Sequence, residues 1–434
     1  MVRERAVWRG VAGGLALALS LVGLAGCGGG SGGPGGADSF HVLVYGDATN
    51  KVEKQIVETF NKTSKVKAVL DTVPGADYQK KLQTTINTPQ APDVFFNWGG
   101  GSIRPFVKSG LLLPLDDMVA KNPELESAFL PSVYDTAKID GKAYGVPMRG
   151  TQPVLLFHNK KVLADAGITP PGTWDELLGA VAKLKAKGVT PIALGGGDKW
   201  PTLMWFEYLY DRVAGPGLFA KALAGDASVW ESAESRRALA MIKELVDAGA
   251  FGTNYDSVKF TDGGSPALVA TGKAGFELMG SWVYSTQQDA NPEFAKNGLG
   301  YTAFPTVPDG KGDPADVVGN TNNFYSVLKK TKHADAIAEF LKLMYSDEFV
   351  EAQLAIGNLP TTTSTEKFLG SAENPAYLKY QFAMVSKAPS FQLSWDQAYP
   401  PSANAPMSTA IQQYFNGSMD ADGFIKAMQG LSAG

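Results

Sequence analysis

The sequence predicts an α/β fold of at least two domains, in which strands and helices alternate along most of the chain. A chain of 434 residues is too long for one compact core, so a division into domains is expected. A nearly unbroken apolar run such as 40–45 is typical of a strand buried on both faces of a parallel sheet. Apolar residues at helical spacing follow such runs, and this alternation predicts a parallel or mixed sheet with right-handed crossovers.

The first predicted elements alternate strictly. The strand at 40–45 is ended by Gly46 and Asp47, and a helix follows with Asn50 as its expected cap and Glu53 three residues later. The next elements in order are a strand at 66–73, a helix at 78–86 and a strand at 93–97, which runs into the glycine triplet 99–101.

The alternation restarts after Asp140 and Gly141, a pair that predicts a tight turn between short runs. Thr173 and Glu176 form a capping box, which predicts the start of a helix. The remaining predictions are strands at 154–157, 191–194, 275–279, 301–304 and 324–328, helices at 202–213 and 234–248, and a mostly helical last third.

Composition and charge exclude several classes of protein. Charged residues make up 19% of the chain, against a usual value of about 25%, and 44% are hydrophobic, which rules out disorder for most of the chain. The net charge of −4 argues against nucleic-acid binding, because phosphates require a basic surface. One cysteine permits no internal disulfide, and the three histidines are far apart. Neither a metal nor another cofactor is expected.

Residues 1–26 are expected to be a secretory signal. Three arginines within the first nine residues precede an apolar stretch over 11–24, which suits a signal peptide and is short for a membrane span of about 20 residues. The following Leu-Ala-Gly-Cys resembles the bacterial lipobox, whose cysteine is lipidated and becomes the first mature residue. Cys27, the single cysteine, is therefore the expected lipidation site. The alternative is a plain secretory signal that happens to contain a cysteine.

Residues 27–37 are expected to form the lipid anchor and a flexible tether. Seven of the nine residues in 28–36 are glycine, a composition that forms neither a helix nor a packed strand. An anchor followed by such a tether would hold a globular body at the extracellular face of the cell membrane.

Six stretches of the mature chain resemble one protein family. The most characteristic is Gly-Lys-Ala-Tyr-Gly-Val-Pro at 141–147. Together with the lipobox and the tether, the stretches make the chain similar to the extracellular solute-binding proteins of ABC transporters, and specifically to family 1, the sugar- and oligosaccharide-binding lipoproteins of actinobacterial type. The other five stretches are 91–98, 173–177, 275–282, 319–325 and 357–360.

This resemblance implies a two-lobed, class II periplasmic-binding-protein-like α/β fold that closes on its ligand like a hinged trap. One lobe is expected at 38–148 plus 283–320 and the other at 149–282 plus 321–434. The strands that connect the lobes are expected near 147–150, 279–282 and 320–324.

The resemblance also implies the partners. The ligand would be an oligosaccharide, for example a xylo-oligosaccharide, which a monomeric receptor would deliver to ABC permease subunits driven by a separate ATPase. No motif in the sequence requires catalysis, so the protein is not expected to be an enzyme. Three alternatives remain: the same fold with a non-sugar solute such as a peptide or polyamine, an anchored carbohydrate-processing enzyme, and a sugar sensor.

Candidate ligand-binding residues follow from the chemistry of sugars, whose hydroxyls suit planar polar side chains and whose C–H faces suit aromatic rings. Ligands of open α/β sheets bind beyond the carboxyl ends of strands, where Asp47, Asn97 and Trp98 stand. Each candidate also has a structural alternative, such as a helix cap, a turn, core packing or, for Arg149, an ion pair between the lobes. The twelve candidates are Asp47, Asn97, Trp98, Arg149, Trp200, Glu207, Trp282, Asn320, Asn322, Asn323, Trp395 and Asp396.

Overall fold

Two β-sheets, each with its own hydrophobic core, organise the computed structural model, which describes residues 38–431. The expected signal, the lipidation site Cys27 and nearly all of the tether lie outside the described residues. Within the described part, no helix is both long and apolar enough to cross a membrane. The strands are β1 (Ser39–Gly46), β2 (Lys67–Pro74), β3 (Val94–Asn97), β4 (Lys138–Ile139), β5 (Lys142–Ala143), β6 (Val146–Met148), β7 (Gln152–Asn159), β8 (Thr190–Ala193), β9 (Ala274–Gly280), β10 (Leu299–Thr302), β11 (Val317–Asn320), β12 (Asn323–Val327) and β13 (Phe391–Leu393).

Helices cover both sheets and fill much of the chain between the strands. The helices are α1 (Asn50–Thr63), α2 (Gly75–Thr85), α3 (Arg104–Lys108), α4 (Asp116–Lys121), α5 (Glu124–Ser127), α6 (Pro131–Tyr134), α7 (Lys160–Asp165), α8 (Trp174–Ala186), α9 (Trp200–Ala214), α10 (Pro216–Leu223), α11 (Ala233–Asp247), α12 (Gly264–Ala270), α13 (Val283–Ala290), α14 (Ala334–Lys342), α15 (Asp347–Ala355), α16 (Pro375–Lys387), α17 (Trp395–Ala398), α18 (Pro401–Phe415) and α19 (Ala421–Gln429).

The first sheet has the order β2-β1-β3-β12-β6. Strand β1 runs parallel to β2 and β3, while β12 runs antiparallel to β3 and β6. Apolar side chains of β1 and β3, among them Val42, Val44 and Phe95, are fully buried against α1 and α14 in one core. We call this sheet and its helices the first lobe.

The second sheet has the order β13-β11-β7-β9-β8, and β10 also pairs with β7. All eight residues of β7 are buried, which explains the apolar run that predicted a strand there. The core of this sheet includes Leu156 and Phe157 from β7 and Trp205 from α9. We call this sheet and its helices the second lobe.

The chain passes between the lobes at three places. Residues 149–151 join β6 to β7, residues 321–322 join β11 to β12, and the chain returns at 358–362 towards α16. The first and third connections lie side by side, since Thr151 forms an isolated β-bridge with Leu359. The ranges in which the sequence predicted connections, near 147–150 and 320–324, overlap the first two of these connections.

The strand pairing differs from the expected lobe bounds. Strands β10 and β11, from the segment 283–320 expected in the first lobe, pair in the second sheet, and β12, from the segment 321–434 expected in the second lobe, pairs in the first. Residues 279–282 do not connect the lobes, because β9 and β10 belong to the same sheet. An apolar run predicts that a strand forms, but the strand with which it pairs depends on packing between segments that are distant in the sequence.

Most predictions from short local motifs agree better with the structure than the expected lobe bounds do. The capping box of Thr173 and Glu176 is formed at the start of α8. Asp140 and Gly141 turn between β4 and β5 with positive φ angles of 51° and 77°, which suits a two-residue hairpin loop. The expected cap at Asn50 is wrong, because the Asn50 amide donates to Glu53 and to the Tyr45 carbonyl instead.

Candidate functional site

A cavity of about 460 Å³ lies between the lobes. Residues of both lobes and Arg149 of the first connection line it, so a ligand held there would contact both lobes. Eight of the twelve sequence-predicted candidates are among the lining residues: Trp98, Arg149, Trp200, Glu207, Trp282, Asn320, Asn323 and Asp396.

The wall formed by the first lobe is aromatic. Tyr45 at the end of β1, Phe96 in β3 and Trp98 just beyond β3 line the cavity at the carboxyl ends of parallel strands. The Trp98 ring meets the Phe96 ring edge-on at a centroid distance of 4.8 Å and the Tyr45 ring at 5.6 Å. These contacts fix the orientation of a partly exposed indole at the cavity wall.

The wall formed by the second lobe carries a second aromatic group. The Trp200 ring lies 5.5 Å from Phe260 and 6.1 Å from Trp282, measured between ring centroids, and all three line the cavity. Trp200, Met204 and Glu207 follow one another at helical spacing in α9, so one face of this helix is turned towards the cavity.

Two carboxyl groups stand at the α9 wall of the cavity. Glu207 is 1% exposed, and its Oε1 accepts a 2.7 Å hydrogen bond from the backbone N–H of Trp395. Its Oε2 has no hydrogen-bond partner in the described part of the chain. Burial raises the pKa of Glu207 well above its ordinary value, and the nearby Asp396 raises it further. Burial also raises the pKa of Asp396 to about 6.

Amide groups line the cavity on either side of the second connection, at the end of β11 and the start of β12. Asn320 donates to Oε1 of Gln152 across 3.2 Å, and both residues line the cavity. Asn323 is 1% exposed, and neither its amide oxygen nor its amide nitrogen has a hydrogen-bond partner among residues 38–431. An amide buried without partners is costly, and Asn323 therefore stays a candidate for hydrogen bonding to a ligand.

Arg149 lies in the first connection and is 2% exposed. Its Nε donates to Glu53 across 2.6 Å, its Nη1 to Asp47 across 2.8 Å and its Nη2 to the Tyr45 carbonyl. The guanidinium also lies 4.7 Å from the centre of the Phe96 ring. Arg149 does form an ion pair, but the pair ties the first connection to the first lobe and does not join the two lobes as the alternative had it. Arg149 also lines the cavity.

Four of the sequence-predicted candidates do not line the cavity. Asp47 accepts from Arg149 and, near the start of α1, from the N–H and hydroxyl of Thr49. The Asn97 amide donates to the Ser326 hydroxyl and its oxygen accepts from the Gly99 N–H. These are the capping and turn roles that short polar side chains often take.

Asn322 and Trp395 are fully buried. Oδ1 of Asn322 accepts from the N–H of Gly150, and its Nδ2 donates to the Thr361 hydroxyl, so it links all three connections between the lobes. The Trp395 ring stacks on Phe219 at a centroid distance of 4.3 Å within the second core. The polar sequence around Trp395 therefore did not indicate an exposed ring.

The glycine triplet 99–101 allows the two lobes to approach each other closely. A Cβ atom at Gly101 would overlap the carbonyl group of Ala398, and one at Gly100 would overlap the Leu393 side chain. Gly99 and Gly100 also have positive φ angles of 72° and 53°. The first lobe thus rests on the segment 393–399 of the second lobe beside the cavity.

The model of the bacterial extracellular solute-binding protein family matches residues 46–351, which is well over half of the chain. The chain belongs to this family. The match includes Phe96 and Trp98 of the first wall, the aromatic group of the second wall and the first two connections between the lobes, and it confirms the family resemblance of the sequence.

Two curated relatives show the range of similarity. The diacetylchitobiose binding protein DasA of Streptomyces coelicolor is 28% identical over 360 residues, which cover 80% of this chain and 79% of DasA. The uncharacterized ABC transporter extracellular-binding protein PH1214 of Pyrococcus horikoshii is 26% identical over 285 residues, or 64% of this chain. The matched region spans only 59% of the length of PH1214.

Solved structures confirm the two-lobed α/β fold. A protein studied for xylan utilization by the thermophilic bacterium Caldanaerobius polysaccharolyticus superposes with a TM-score of 0.82 at 26% identity, covering 90% of this chain and 99% of that one. A chitin oligosaccharide binding protein superposes with a TM-score of 0.78 at 27% identity, covering 91% of this chain and 98% of that one.

Sequence reasoning missed several lining residues. Tyr45 could have been found, because it stands at the same strand end as Asp47. Gln152 is the first residue of β7, and Asn404 and Ser408 lie one turn apart on α18. No local pattern distinguished these polar residues from ordinary surface positions. Lys199, Lys259 and Thr261 come from loops that only the fold brings to the cavity.

Proposed function

We propose that this protein is the lipid-anchored extracellular receptor of an ABC importer, which captures an oligosaccharide by closure of its lobes and delivers it to a permease. The observation that carries the proposal is the cavity between the lobes, with aromatic rings on both walls and partnerless polar groups between them. Its volume of about 460 Å³ falls in the range of roughly 300–1,000 Å³ usual for small-ligand sites.

The lining chemistry suits a sugar better than a peptide or a polyamine. Trp98 on one wall and Trp200 and Trp282 on the other offer flat apolar faces to the C–H faces of sugar rings. The amide of Asn323 offers both a donor and an acceptor to hydroxyl groups. The names of the similar proteins support this ligand class, since DasA is a diacetylchitobiose binding protein and one structural neighbour binds chitin oligosaccharides. Xylo-oligosaccharides remain candidates beside chitin oligosaccharides.

Closure follows from the position of the cavity. A ligand that touches Trp98 in the first lobe and Trp282 in the second gains contacts from both only when the lobes are together. It therefore binds the closed state more tightly and shifts the population towards it. The closed receptor would then dock on permease subunits served by a separate ATPase and release the sugar intact. One chain contains the whole cavity lining described above, so we propose a monomer as the working unit.

The location rests on the sequence. We propose that residues 1–26 direct secretion, that Cys27 carries the lipid, and that the glycine-rich residues to 37 separate the anchor from the body.

Calorimetric titration of the chain from residue 38 onward tests the proposal. The panel contains xylotriose, cellotriose, diacetylchitobiose, maltotriose, a tripeptide and spermidine, and each sugar is recovered afterwards and analysed for cleavage. We expect micromolar or tighter binding of at least one oligosaccharide class, with the sugar recovered intact. Cleavage of a sugar would support an anchored enzyme instead, and binding of only the tripeptide or spermidine would contradict the sugar receptor.

A further inference from the structure

The carboxyl groups of Glu207 and Asp396 face the cavity without a cation in contact with either, as far as residues 38–431 show. The basic groups of the lining make their contacts elsewhere, and Lys199 does so with an uncharged hydroxyl. The Arg149 guanidinium pairs with Glu53 and Asp47, and the Lys199 ammonium donates to the Thr409 hydroxyl.

The remaining charged groups of the lining also have partners. Asp198 accepts hydrogen bonds from the N–H and the hydroxyl of Thr261, and the Lys259 ammonium lies 3.9 Å from Asp262. Among residues 38–431, no basic side chain forms an ion pair with Glu207 or Asp396, and the nearest charged influence on Glu207 is Asp396 itself.

Free hydrogen-bonding atoms surround the carboxyl pair. The Ser394 hydroxyl, Oε1 of Gln397 and Oε2 of Glu207 are buried and without partners among the described residues, and all three residues line the cavity. The segment that carries them is held in place, because the Trp395 N–H donates to Glu207 and the Gln397 amide donates to Asp396. A ready-made polar subsite results, in which the ligand must supply the missing partners.

We propose that Glu207 and Asp396 form a carboxyl subsite that binds an uncharged sugar ring through its hydroxyl groups and rejects a uronic acid. This inference rests on the proposed function and specifies its substrate class.

Carboxyl oxygens accept hydrogen bonds from neighbouring hydroxyls of one ring, and the Ser394 hydroxyl and Asn323 amide can donate to the oxygens of the same ring. A uronic acid bound at this subsite would bring another anion beside the buried Glu207 carboxyl and Asp396, with which no basic group of residues 38–431 forms an ion pair. Repulsion between like charges is strong in such a site, and discrimination by repulsion is a general route to specificity.

The experiment compares each neutral sugar that binds with counterparts that carry a uronic acid as the terminal ring, at one end and then at the other. Xylotriose, cellotriose and diacetylchitobiose are the neutral probes, and calorimetry at pH 7.5 gives the affinities. We expect the uronic acid to weaken binding by about tenfold or more at one end at least, as expected for an unpaired anion near a carboxylate. Equal affinities for the neutral and both acidic forms would overturn the inference.

Two variants test whether Asp396 or Glu207 is responsible for the weaker binding of uronic acids. Asp396→Asn and Glu207→Gln keep the shape of the side chain and remove the negative charge, so the ratio of neutral to acidic affinity is expected to fall several-fold in at least one of them. Glu277→Gln is the matched control, because Glu277 is a buried carboxyl of the same lobe that does not line the cavity. An unchanged ratio in both site variants would overturn the inference.

The outcomes separate the two proposals. Failure of every neutral sugar to bind contradicts the proposed function, and with it this inference. Binding of neutral sugars with no discrimination against uronic acids contradicts the carboxyl subsite alone.

Discussion

Nε of Arg149 donates a 2.6 Å hydrogen bond to Oε1 of Glu53, in an ion pair buried between the first connection and helix α1. Arg149 itself has a positive φ of 50°, a conformation that needs support from its surroundings when the residue is not glycine. The ion pair and the bonds to Asp47 and the Tyr45 carbonyl supply that support.

Glu53→Ala is therefore expected to destabilise the protein by about 2–4 kcal/mol, because it leaves a buried guanidinium with only part of its pairing. Urea denaturation followed by circular dichroism measures the change. Glu58→Gln is the control in the same helix, since Glu58 is exposed and its replacement should alter the free energy of unfolding by less than about 0.5 kcal/mol. Equal midpoints for the two variants would contradict the role assigned to the ion pair.

Trp98→Ala and Trp282→Ala are each expected to weaken oligosaccharide binding by about tenfold or more, because each removes a large ring from one wall of the cavity. Calorimetry with the best-binding sugar measures the loss. Trp174→Phe serves as the control, because Trp174 is a core residue whose indole N–H donates to Glu244 away from the cavity. We expect it to lower stability while the affinity stays unchanged, and the reverse pattern would refute the stacking role.

Gly101→Ala is expected to keep the lobes from their observed approach, because its methyl group would overlap the Ala398 carbonyl. Small-angle scattering of the variant should give a larger radius of gyration, and sugar affinity should fall. Gly179→Ala provides the contrast, since Gly179 lies on an exposed face of α8 with open space around it. That variant should gain about 0.5–1 kcal/mol of stability, because alanine favours the helix. Unchanged scattering and affinity for Gly101→Ala would show that the contact does not limit closure.

Glu277 should make stability depend on pH. Burial raises the pKa of Glu277 from 4.5 to about 8, so the folded protein holds this proton more tightly than the unfolded chain. The contribution to the free energy of unfolding is full below about pH 4.5 and is lost as the pH rises to about 8. Glu277→Gln should remove this dependence, so the variant gains stability relative to the wild type between pH 5 and about pH 8. Parallel stability curves for the two proteins over this range would contradict the assignment.

Cys27→Ser in the full chain should release the protein from cells into the medium, because the hydroxyl cannot take the thioether-linked lipid. Detergent phase partitioning of the wild type and the variant measures the anchor directly. A variant that stays in the membrane fraction would contradict lipidation at Cys27, whereas sugar binding by the released protein should equal that of the wild type.

Much of the local structure could be predicted from the sequence, because it depends on neighbouring residues. The apolar runs of β1 and β3, the capping box of α8 and the turn at Asp140 all require only a few adjacent side chains. The rule that ligands gather beyond the carboxyl ends of strands placed Trp98 correctly at the cavity wall.

The remaining features depend on distant partners. β12 joins the first sheet because Phe324 and Tyr325 pair with Asn97 and Phe96, and nothing near residue 324 encodes that choice. The amide of Asn97 could bind a sugar hydroxyl, but it donates its hydrogen bond to the Ser326 hydroxyl instead. Trp395 lies in a polar stretch of sequence, yet its ring is buried in the core because it packs against Phe206, Phe219 and Trp230.

Asn322 joins the first connection at Gly150 and the third at Thr361 while itself standing in the second. One buried side chain thereby joins the three segments that connect the lobes. Because Asn322 couples the three connections, we expect that rotation of one lobe bends all three together.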